Sequence, residues 1–306
     1  MTIRVAGIGT ALPEKIITND DLAQTIDTND QWIRERSGIG QRHVGGVTSE
    51  LATEAGIRAI KNAGLTPDDI GLLIVCTTTP DQQLPATSAV VQRDIGLNCG
   101  AFDINAVCAG FIYSYVMAYG QILMPGGPER VLVIGSESLS RIVDWDDRGT
   151  AILFGDGAGA AVMERHEEGE MLAYDLGSNG ELQEILYADH GGYIKMEGRE
   201  VFKRAVRAVS GSVEIALEKA GMTADDIDVV IPHQANIRII EAVSQRTGLS
   251  MEKTHNVIEF TGNTSSATIP LTLAEAERNG ALQPGQIVLM TGFGAGMAWG
   301  TAVVRW

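Results

Sequence analysis

Three polar side chains, in separate parts of the 306-residue sequence, are of types that can act together on a carbonyl compound. The first is Cys108, which follows an apolar, strand-like run and precedes a long apolar segment of helical length. A thiol at a helix N-terminus meets the positive end of the helix dipole, which favours the nucleophilic thiolate. The alternative is a plain buried cysteine, because free cysteine often serves as a small core residue.

The other two side chains belong to the second half of the chain. His233 comes directly after the apolar run VVIP, which places it at the carboxyl end of a strand, where open α/β sheets bind ligands. Asn263 lies in a segment rich in Gly, Thr and Ser, and its amide N–H could face a carbonyl oxygen. A structural histidine and an ordinary polar loop are the alternatives.

The elements that must position these residues are indicated by an internal repeat. Residues 59–70 (AIKNAGLTPDDI) and 216–227 (ALEKAGMTADDI) are identical at seven of twelve positions, with an offset of 157. In each copy a helix ends at glycine, Gly64 or Gly221, which readily adopts the left-handed C′ conformation. A turn and a buried strand follow. Two homologous halves are therefore predicted, with the helices and continuous apolar strands of an α/β layered fold.

Further strands are predicted from short apolar runs at 4–8, 131–135, 160–163, 287–291 and 298–304. The segments GDGAGAAVM at Gly155 and GFGAGMAWG at Gly292 look like a second echo of the duplication, and each is expected to link two strands. The polar stretch at 165–170 is expected to hold the junction, which gives an N-terminal half at 1–164 and a C-terminal half at 165–306.

Composition and charge restrict the possible partners. The formal net charge is −16, which disfavours nucleic acid or an anionic membrane, because both need a basic surface. The three cysteines have no CxxC spacing, so neither a disulfide scaffold nor a metal site is expected. Cys76 and Cys99 are expected in the core. The sequence shows no signal-peptide pattern and no apolar run of membrane-spanning length, which favours a reducing cytoplasmic location.

Five motifs occur in order along the chain: AVCAGF, DRGTAILFGDGAGAAV, PHQANIRI, GNTSSATIP and GFGAGMAWGTAVVRW. In these motifs the sequence resembles the thiolase-like condensing enzymes, and specifically the β-ketoacyl-acyl-carrier-protein synthase III family. The resemblance covers residues 1–306 and implies a five-layered α/β/α/β/α fold built from two duplicated halves. It also implies an acyltransferase that initiates fatty-acid synthesis, with acyl-CoA and malonyl-acyl carrier protein as substrates and no further cofactor.

The resemblance assigns roles to the three side chains. Cys108 would take the acyl group from acyl-CoA. His233 and Asn263 would donate N–H hydrogen bonds to the thioester oxygen while malonyl-acyl carrier protein loses CO₂. The enolate would attack the acyl-Cys carbonyl to give a 3-oxoacyl product. The backbone amides of Cys108 and Ala295 would bind the oxyanion formed in that attack.

The resemblance also implies a binding site for coenzyme A. Trp32 and Arg148 would flank its adenine by stacking, and Arg36 would help to hold its phosphates. The pantetheine arm would run past Gly198 and Asn236 toward the nucleophile.

Partners follow from the same resemblance. An acidic carrier protein would dock on a local basic patch of Lys203, Arg204, Arg207 and Arg238. A homodimer is expected, in which Leu84 reaches the partner's acyl pocket, at a place where phenylalanine is common in acetyl-preferring members. Two alternatives stay open: a starter-unit synthase or acyltransferase of polyketide type, and a non-catalytic scaffold that kept the fold.

Overall fold

Helices and strands alternate along the computed structural model, which describes residues 2–306. The first half contains, in order, β1 (Thr2–Ala11), β2 (Ile16–Thr18), α1 (Asn19–Leu22), α2 (Asp30–Ser37), β3 (Gln41–His43), α3 (Thr48–Asn62), β4 (Leu72–Cys76), α4 (Thr87–Ile95), β5 (Gly100–Ile104), α5 (Gly110–Leu123), β6 (Arg130–Ser138), α6 (Arg148–Ala151) and β7 (Asp156–His166). The second half contains β8 (Glu170–Ser178), β9 (Leu186–Tyr187), β10 (Lys195–Met196), α7 (Gly198–Ala220), β11 (Val229–Pro232), α8 (Ile237–Thr247), α9 (Ile258–Thr261), α10 (Thr268–Arg278), β12 (Ile287–Gly294) and β13 (Ala298–Arg305).

Two sheets of matching topology confirm the duplication. The first has the strand order β1-β7-β6-β4-β5, and the second has the order β8-β13-β12-β11. The corresponding pairs β4 with β6 and β11 with β12 are parallel, and the remaining shared pairs are antiparallel. The counterpart of β5 is reduced to a single parallel bridge between Val230 and Thr254. All the strands predicted from apolar runs are present.

The repeated helix–turn–strand unit has the same local structure in both copies. Gly64 and Gly221 have φ values of 71° and 66°, the left-handed conformation expected after a helix. The backbone N–H and the hydroxyl of Thr66 and of Thr223 each donate a hydrogen bond of 2.8 Å to the carboxylate of the aspartate three residues on. The conserved local geometry explains why this stretch is the most visible part of the repeat.

One proposed correspondence is wrong. GFGAGMAWG does turn from β12 into β13, but GDGAGAAVM lies mainly inside β7, seventeen residues beyond the end of β6. Its small residues serve packing, because a Cβ at Gly159 would lie 2.8 Å from Pro270 of α10. The true register pairs Gly135 with Gly159 in one sheet and Gly292 with Gly300 in the other.

The two sheets and three helical layers make the predicted five-layered fold. α3 and α4 cover the outer face of the first sheet, and α7 and α8 cover the outer face of the second. α5 and α10 lie between the sheets and share one apolar core that draws on both halves. The chain passes from the first sheet to the second between His166 and Glu170, although α10 packs against β1 and β7.

Within residues 2–306, no helix combines the length and the apolar character needed to cross a bilayer. No cluster of three or more His, Cys, Asp or Glu side chains in that range could hold a metal ion. All three cysteines are free thiols; Cys76 and Cys108 are buried, whereas Cys99 is half-buried.

Candidate active site

A cavity of about 770 Å³ lies between the two halves. Its lining includes the half-exposed Trp32 and the exposed Arg36 at the mouth, and the buried side chains of Cys108, His233 and Asn263. The three side chains selected from the sequence thus face one common space. Gly292 separates two of them: a Cβ there would lie 2.9 Å from the Cβ of His233 and 3.7 Å from the carbonyl oxygen of Cys108.

Cys108 lies at the start of the central helix, as its sequence position predicts. It belongs to a single helical turn, Val107–Ala109, that joins β5 to α5. The end of β12 passes very close, because a Cβ at Gly294 would lie 2.7 Å from the Cys108 backbone nitrogen. Only a glycine permits this approach, which brings the second half of the chain against Cys108.

The protonation state of Cys108 differs from the expected thiolate. The pKa of this thiol is raised to about 12, mainly by burial and also by the nearby Glu137, whereas hydrogen bonding with Ser265 acts in the opposite direction. The location at a helix N-terminus was predicted correctly, but removal of the sulfur from water outweighs it. The ligand-free protein therefore holds a neutral thiol, and acyl transfer needs a proton acceptor.

His233 is placed to be that acceptor. It follows β11 directly and is 4% exposed, and burial lowers its pKa to about 3, so the imidazole is neutral at neutral pH. Nδ1 lies 2.7 Å from the Thr268 hydroxyl, which itself donates to the Ser265 carbonyl oxygen. We assign the proton to Nδ1 on this hydrogen-bond pattern. Nε2, which is buried and has no partner among the described residues, then carries a lone pair.

Asn263 presents an amide group of defined orientation. It follows α9 in the loop before α10, and its side-chain oxygen accepts a hydrogen bond of 2.9 Å from the Ser265 backbone N–H. This bond fixes which end of the carboxamide is oxygen, and the NH₂ group is left for the cavity. A donor is thus aimed at the space that Cys108 and His233 also face.

The predicted oxyanion-hole residue Ala295 lies just beyond the cavity wall. Gly294 lines the cavity, and Ala295 begins the turn that joins β12 to β13. Ala295 is half-buried, and the next residue, Gly296, has a φ of 117° that favours glycine. The pairing of its amide with that of Cys108 stays a prediction.

At the mouth of the cavity, two guanidinium groups form cation–π contacts with the Trp32 ring. The guanidinium carbons of Arg36 and Arg148 lie 4.6 and 4.9 Å from its centroid. Stacked flat groups need about 3.5 Å on each side, so no third ring fits between Trp32 and Arg148 as they stand. Arg148, which also donates to the Asp27 carbonyl oxygen at 3.0 Å, would have to swing away to admit an adenine.

Further along, Gly198 and Asn236 both line the cavity at helix starts. Gly198 begins α7, and Asn236 caps α8 by accepting from the Arg238 backbone N–H at 2.9 Å. The cap uses the side-chain oxygen of Asn236, so its NH₂ group is the end available to a ligand.

The predicted basic patch is partly neutralised on its own helix. Lys203 and Arg204 pair with Glu200 at 2.8 and 3.6 Å. Arg238 instead lies 5.9 Å above the Phe202 ring, beside the mouth of the cavity. Arg207 is exposed on α7.

Four residues of the candidate site were not identified from the sequence. Arg199 and Phe202 line the mouth, Thr268 orients His233, and the buried Glu137 lies behind Cys108. Thr268 could have been found, because it belongs to the same motif as Asn263. In contrast, Leu84 is 82% exposed and does not line the cavity of the single chain.

A thiol, a neutral imidazole and a carboxamide on one cavity between two related α/β halves define a thiolase-like condensing enzyme. The family model for 3-oxoacyl-[acyl-carrier-protein] synthase III matches residues 102–180, and its C-terminal counterpart matches residues 217–306. The chain is 45% identical over 311 residues to β-ketoacyl-[acyl-carrier-protein] synthase III 1 of Bacillus anthracis, with 100% of this chain and 99% of that protein covered. The chain belongs to the β-ketoacyl-[acyl-carrier-protein] synthase III family.

Solved structures agree with this assignment. The 3-oxoacyl-[acyl-carrier-protein] synthase III of Aquifex aeolicus superposes with a TM-score of 0.97 at 42% identity, covering 99% of this chain and 100% of that one. A priming β-ketosynthase from the R1128 polyketide pathway superposes with a TM-score of 0.92 at 34% identity, covering 99% of this chain and 96% of that one.

Proposed function

We propose that Cys108 carries an acyl group from acyl-CoA to malonyl-acyl carrier protein, as the initiating step of fatty-acid synthesis. The observation that supports this most directly is the shared cavity, which brings the thiol, the free Nε2 of His233 and the amide of Asn263 together. The family membership gives the class, a condensing acyltransferase. The roles of the individual residues are our proposal.

In the loading step, the neutral thiol of Cys108 passes its proton to Nε2 of His233. The thiolate attacks the thioester carbon, the C–S bond to coenzyme A breaks, and the departing thiolate takes the proton from Nε2. Acyl-Cys108 and free coenzyme A result, and the imidazole is neutral again. A general acid–base group of this kind typically contributes 10²–10⁴-fold to a rate.

In the condensing step, malonyl-acyl carrier protein loses CO₂ and leaves an enolate, whose oxygen accepts from the Asn263 amide. The enolate carbon attacks the acyl-Cys108 carbonyl, the C–S bond breaks, and the released thiolate is reprotonated from solvent. His233 can also donate to the enolate oxygen when its proton sits on Nε2. The Thr268 hydroxyl allows this, because it can rotate to donate to Nδ1 instead of accepting from it.

The proposed chemistry uses an acyl thioester of coenzyme A as a substrate and needs no metal or bound cofactor. Its test is mass spectrometry of the protein after incubation with a panel of acyl-CoA thioesters, followed by malonyl-acyl carrier protein. An acyl adduct on Cys108 and release of CO₂ with a 3-oxoacyl product are expected. Cys108→Ala should give no adduct, and Cys99→Ala, a half-buried thiol away from the cavity, should keep it. No adduct with any starter would leave the scaffold alternative standing.

A second candidate is a starter-unit synthase of polyketide type, which the similarity to the R1128 priming enzyme favours. The two candidates share the same residues and differ in the starter and the acceptor. The second candidate would be favoured if the protein condenses a wide range of the acyl-CoA starters in the panel above. It would also be favoured by acyl transfer to oxygen or nitrogen without loss of CO₂.

Docking of an acidic carrier protein is proposed at the cavity mouth. Arg238 is the strongest contributor, because it borders the mouth and forms no ion pair among the described residues. Lys203 and Arg204 contribute less charge, since Glu200 pairs with both. Arg207 and the previously unrecognised Arg199 extend the patch along α7.

A homodimer is proposed on two features of the first half. β5 is an edge strand of its sheet, so its outer N–H and C=O groups are available to a second strand. Leu84, in the loop before α4, is an exposed apolar side chain that a partner would cover. Light scattering should give twice the mass of 32.6 kDa.

Three free thiols, one of them the nucleophile, fit a reducing cytoplasmic location.

A further inference from the structure

Glu137 is a fully buried carboxyl group that the proposed chemistry does not use. It lies near the carboxyl end of β6 and is 0% exposed. Five donors reach its two oxygens: the Thr77 hydroxyl at 3.3 Å, the Thr78 N–H at 3.0 Å, the Thr79 hydroxyl at 2.8 Å, the Ser265 hydroxyl at 3.1 Å and the Ser266 hydroxyl at 2.9 Å. Burial raises the pKa of Glu137, whereas the hydrogen bonds that it accepts act in the opposite direction, because they match the acceptor-only chemistry of a carboxylate.

These donors come from both halves of the molecule. One oxygen accepts from residues 77–79, which follow β4 in the first half, and the other accepts from Ser265 and Ser266 in the second half. The Ser266 hydroxyl lies 3.1 Å from the Cys76 carbonyl oxygen as well. Glu137 therefore ties the ends of the first sheet to the loop that carries Asn263.

The same loop holds the site residues. The Ser265 backbone N–H orients the Asn263 side chain at 2.9 Å, and the Ser265 side chain lies close enough to Cys108 to lower the pKa of its thiol. Ser265 also has a φ of 50°, a conformation that non-glycine residues rarely adopt and that the surroundings must enforce. The hydrogen bond from its hydroxyl to Glu137 is one such restraint.

We propose that Glu137 is a positioning residue, which holds Ser265 so that the Asn263 amide points at the enolate oxygen during decarboxylation. This inference rests on the proposed role of Asn263. It predicts an uneven effect, because decarboxylation depends directly on the direction of the Asn263 donor, whereas Ser265 reaches His233 only through the Thr268 hydroxyl.

The test is Glu137→Gln, which keeps the size but places an NH₂ group where only donors point. Loading of Cys108, followed by mass spectrometry, should change less than decarboxylation, because the only direct effect of Glu137 on that step is the charge by which it raises the pKa of the Cys108 thiol. CO₂ release from malonyl-acyl carrier protein should fall by about 10- to 100-fold in kcat, the size of effect expected from a misplaced catalytic group. Ser265→Ala removes one of the hydrogen bonds to Glu137 and should give a smaller loss of the same kind.

The matched control is Glu164→Gln. Glu164 is also a buried glutamate of the first sheet, but it lies at the opposite end of the β6–β7 pair, where Arg4 and Arg130 bind it. It should lower the unfolding temperature without changing the ratio of the two half-reactions. Wild-type CO₂ release by folded Glu137→Gln, or an equal loss in both half-reactions, overturns the positioning role. Absence of both half-reactions in the wild type would instead overturn the proposed function.

Discussion

Val107 and Ser265 occupy equivalent positions in the two halves and share one backbone conformation. Their φ values are 48° and 50°, and they are the two non-glycine residues with positive φ among residues 2–306. Each opens a single helical turn that leads into a central helix, α5 or α10. The residue after Val107 is Cys108, the proposed nucleophile, and the residue after Ser265 is Ser266. The duplication thus produced two sharp turns, of which one presents the thiol and the other helps to hold Glu137.

The strand that faces each turn is also equivalent. A Cβ at Gly135 of β6 would lie 2.4 Å from the Ser266 carbonyl oxygen, and a Cβ at Gly292 of β12 would lie 3.7 Å from the Cys108 carbonyl oxygen. Each sheet therefore supports the turn that belongs to the other half. This crossed arrangement explains why a site made from both halves can be rigid.

Asn263→Ala should separate the two half-reactions. The Asn263 amide meets only the enolate oxygen in the proposed mechanism, so loading of Cys108 should persist. Loss of one such donor typically lowers a rate by about 10²–10³-fold, and we expect this loss in CO₂ release. Asn279→Ala, an exposed asparagine at the end of α10, serves as the control. A parallel loss of loading would contradict the role given to Asn263.

The pH dependence of Cys108 alkylation should report its raised pKa. A pKa of about 12 means that the thiolate fraction is small at neutral pH and rises about tenfold per pH unit. Iodoacetamide modification of the Cys108 peptide, measured by mass spectrometry on ligand-free protein, should therefore keep increasing from pH 7 to pH 10. The less buried Cys99 gives an internal reference. A plateau below pH 9 would show that the helix N-terminus outweighs burial after all.

Thr268→Val should impair the catalytic role of His233 without changing the volume of the cavity. The substitution nearly preserves the side-chain volume but removes the hydroxyl that can accept from Nδ1 or donate to it. Because His233 then loses its means of presenting Nε2 in either form, kcat should fall by about 10- to 100-fold. Thr268→Ser keeps the hydroxyl and should restore most of the rate. Equal activity of the Val and Ser variants would exclude this role.

Arg238→Glu should raise the KM for malonyl-acyl carrier protein and leave acyl-CoA loading nearly unchanged. Reversal of a charge at a docking surface lowers the association rate, and the effect should shrink as salt is added. Lys61→Glu, an equal change of net charge on the outer helix α3, is the control. If Lys61→Glu raises the KM as much as Arg238→Glu does, the effect is one of net charge and not of docking.

Features set by local sequence were predictable. The apolar runs gave the strands, and the glycines at 64 and 221 gave the helix ends, because both depend on residues close in the chain. Cys108, His233 and Asn263 could be selected because each lies at a strand end or in a loop beside a helix start.

What failed depends on packing between distant segments. The prediction of a thiolate at Cys108 did not take into account that β12 and the loop at Ser265 bury the sulfur completely. The prediction that GDGAGAAVM links two strands was wrong, since Gly159 in this segment is required by the close approach of Pro270 in α10 and not by a turn. Glu137 was not identified from the sequence, because its five hydrogen-bond donors come from segments that are distant along the chain.

The shared central layer has a consequence for any attempt to divide the molecule. α10 comes from the second half yet covers β1 and β7 of the first, and α5 packs against strands of both. A chain cut between His166 and Glu170 would give two fragments, each with a bare apolar surface that water must wet. Neither fragment would fold independently, and catalytic activity would return only when the two fragments reassociate.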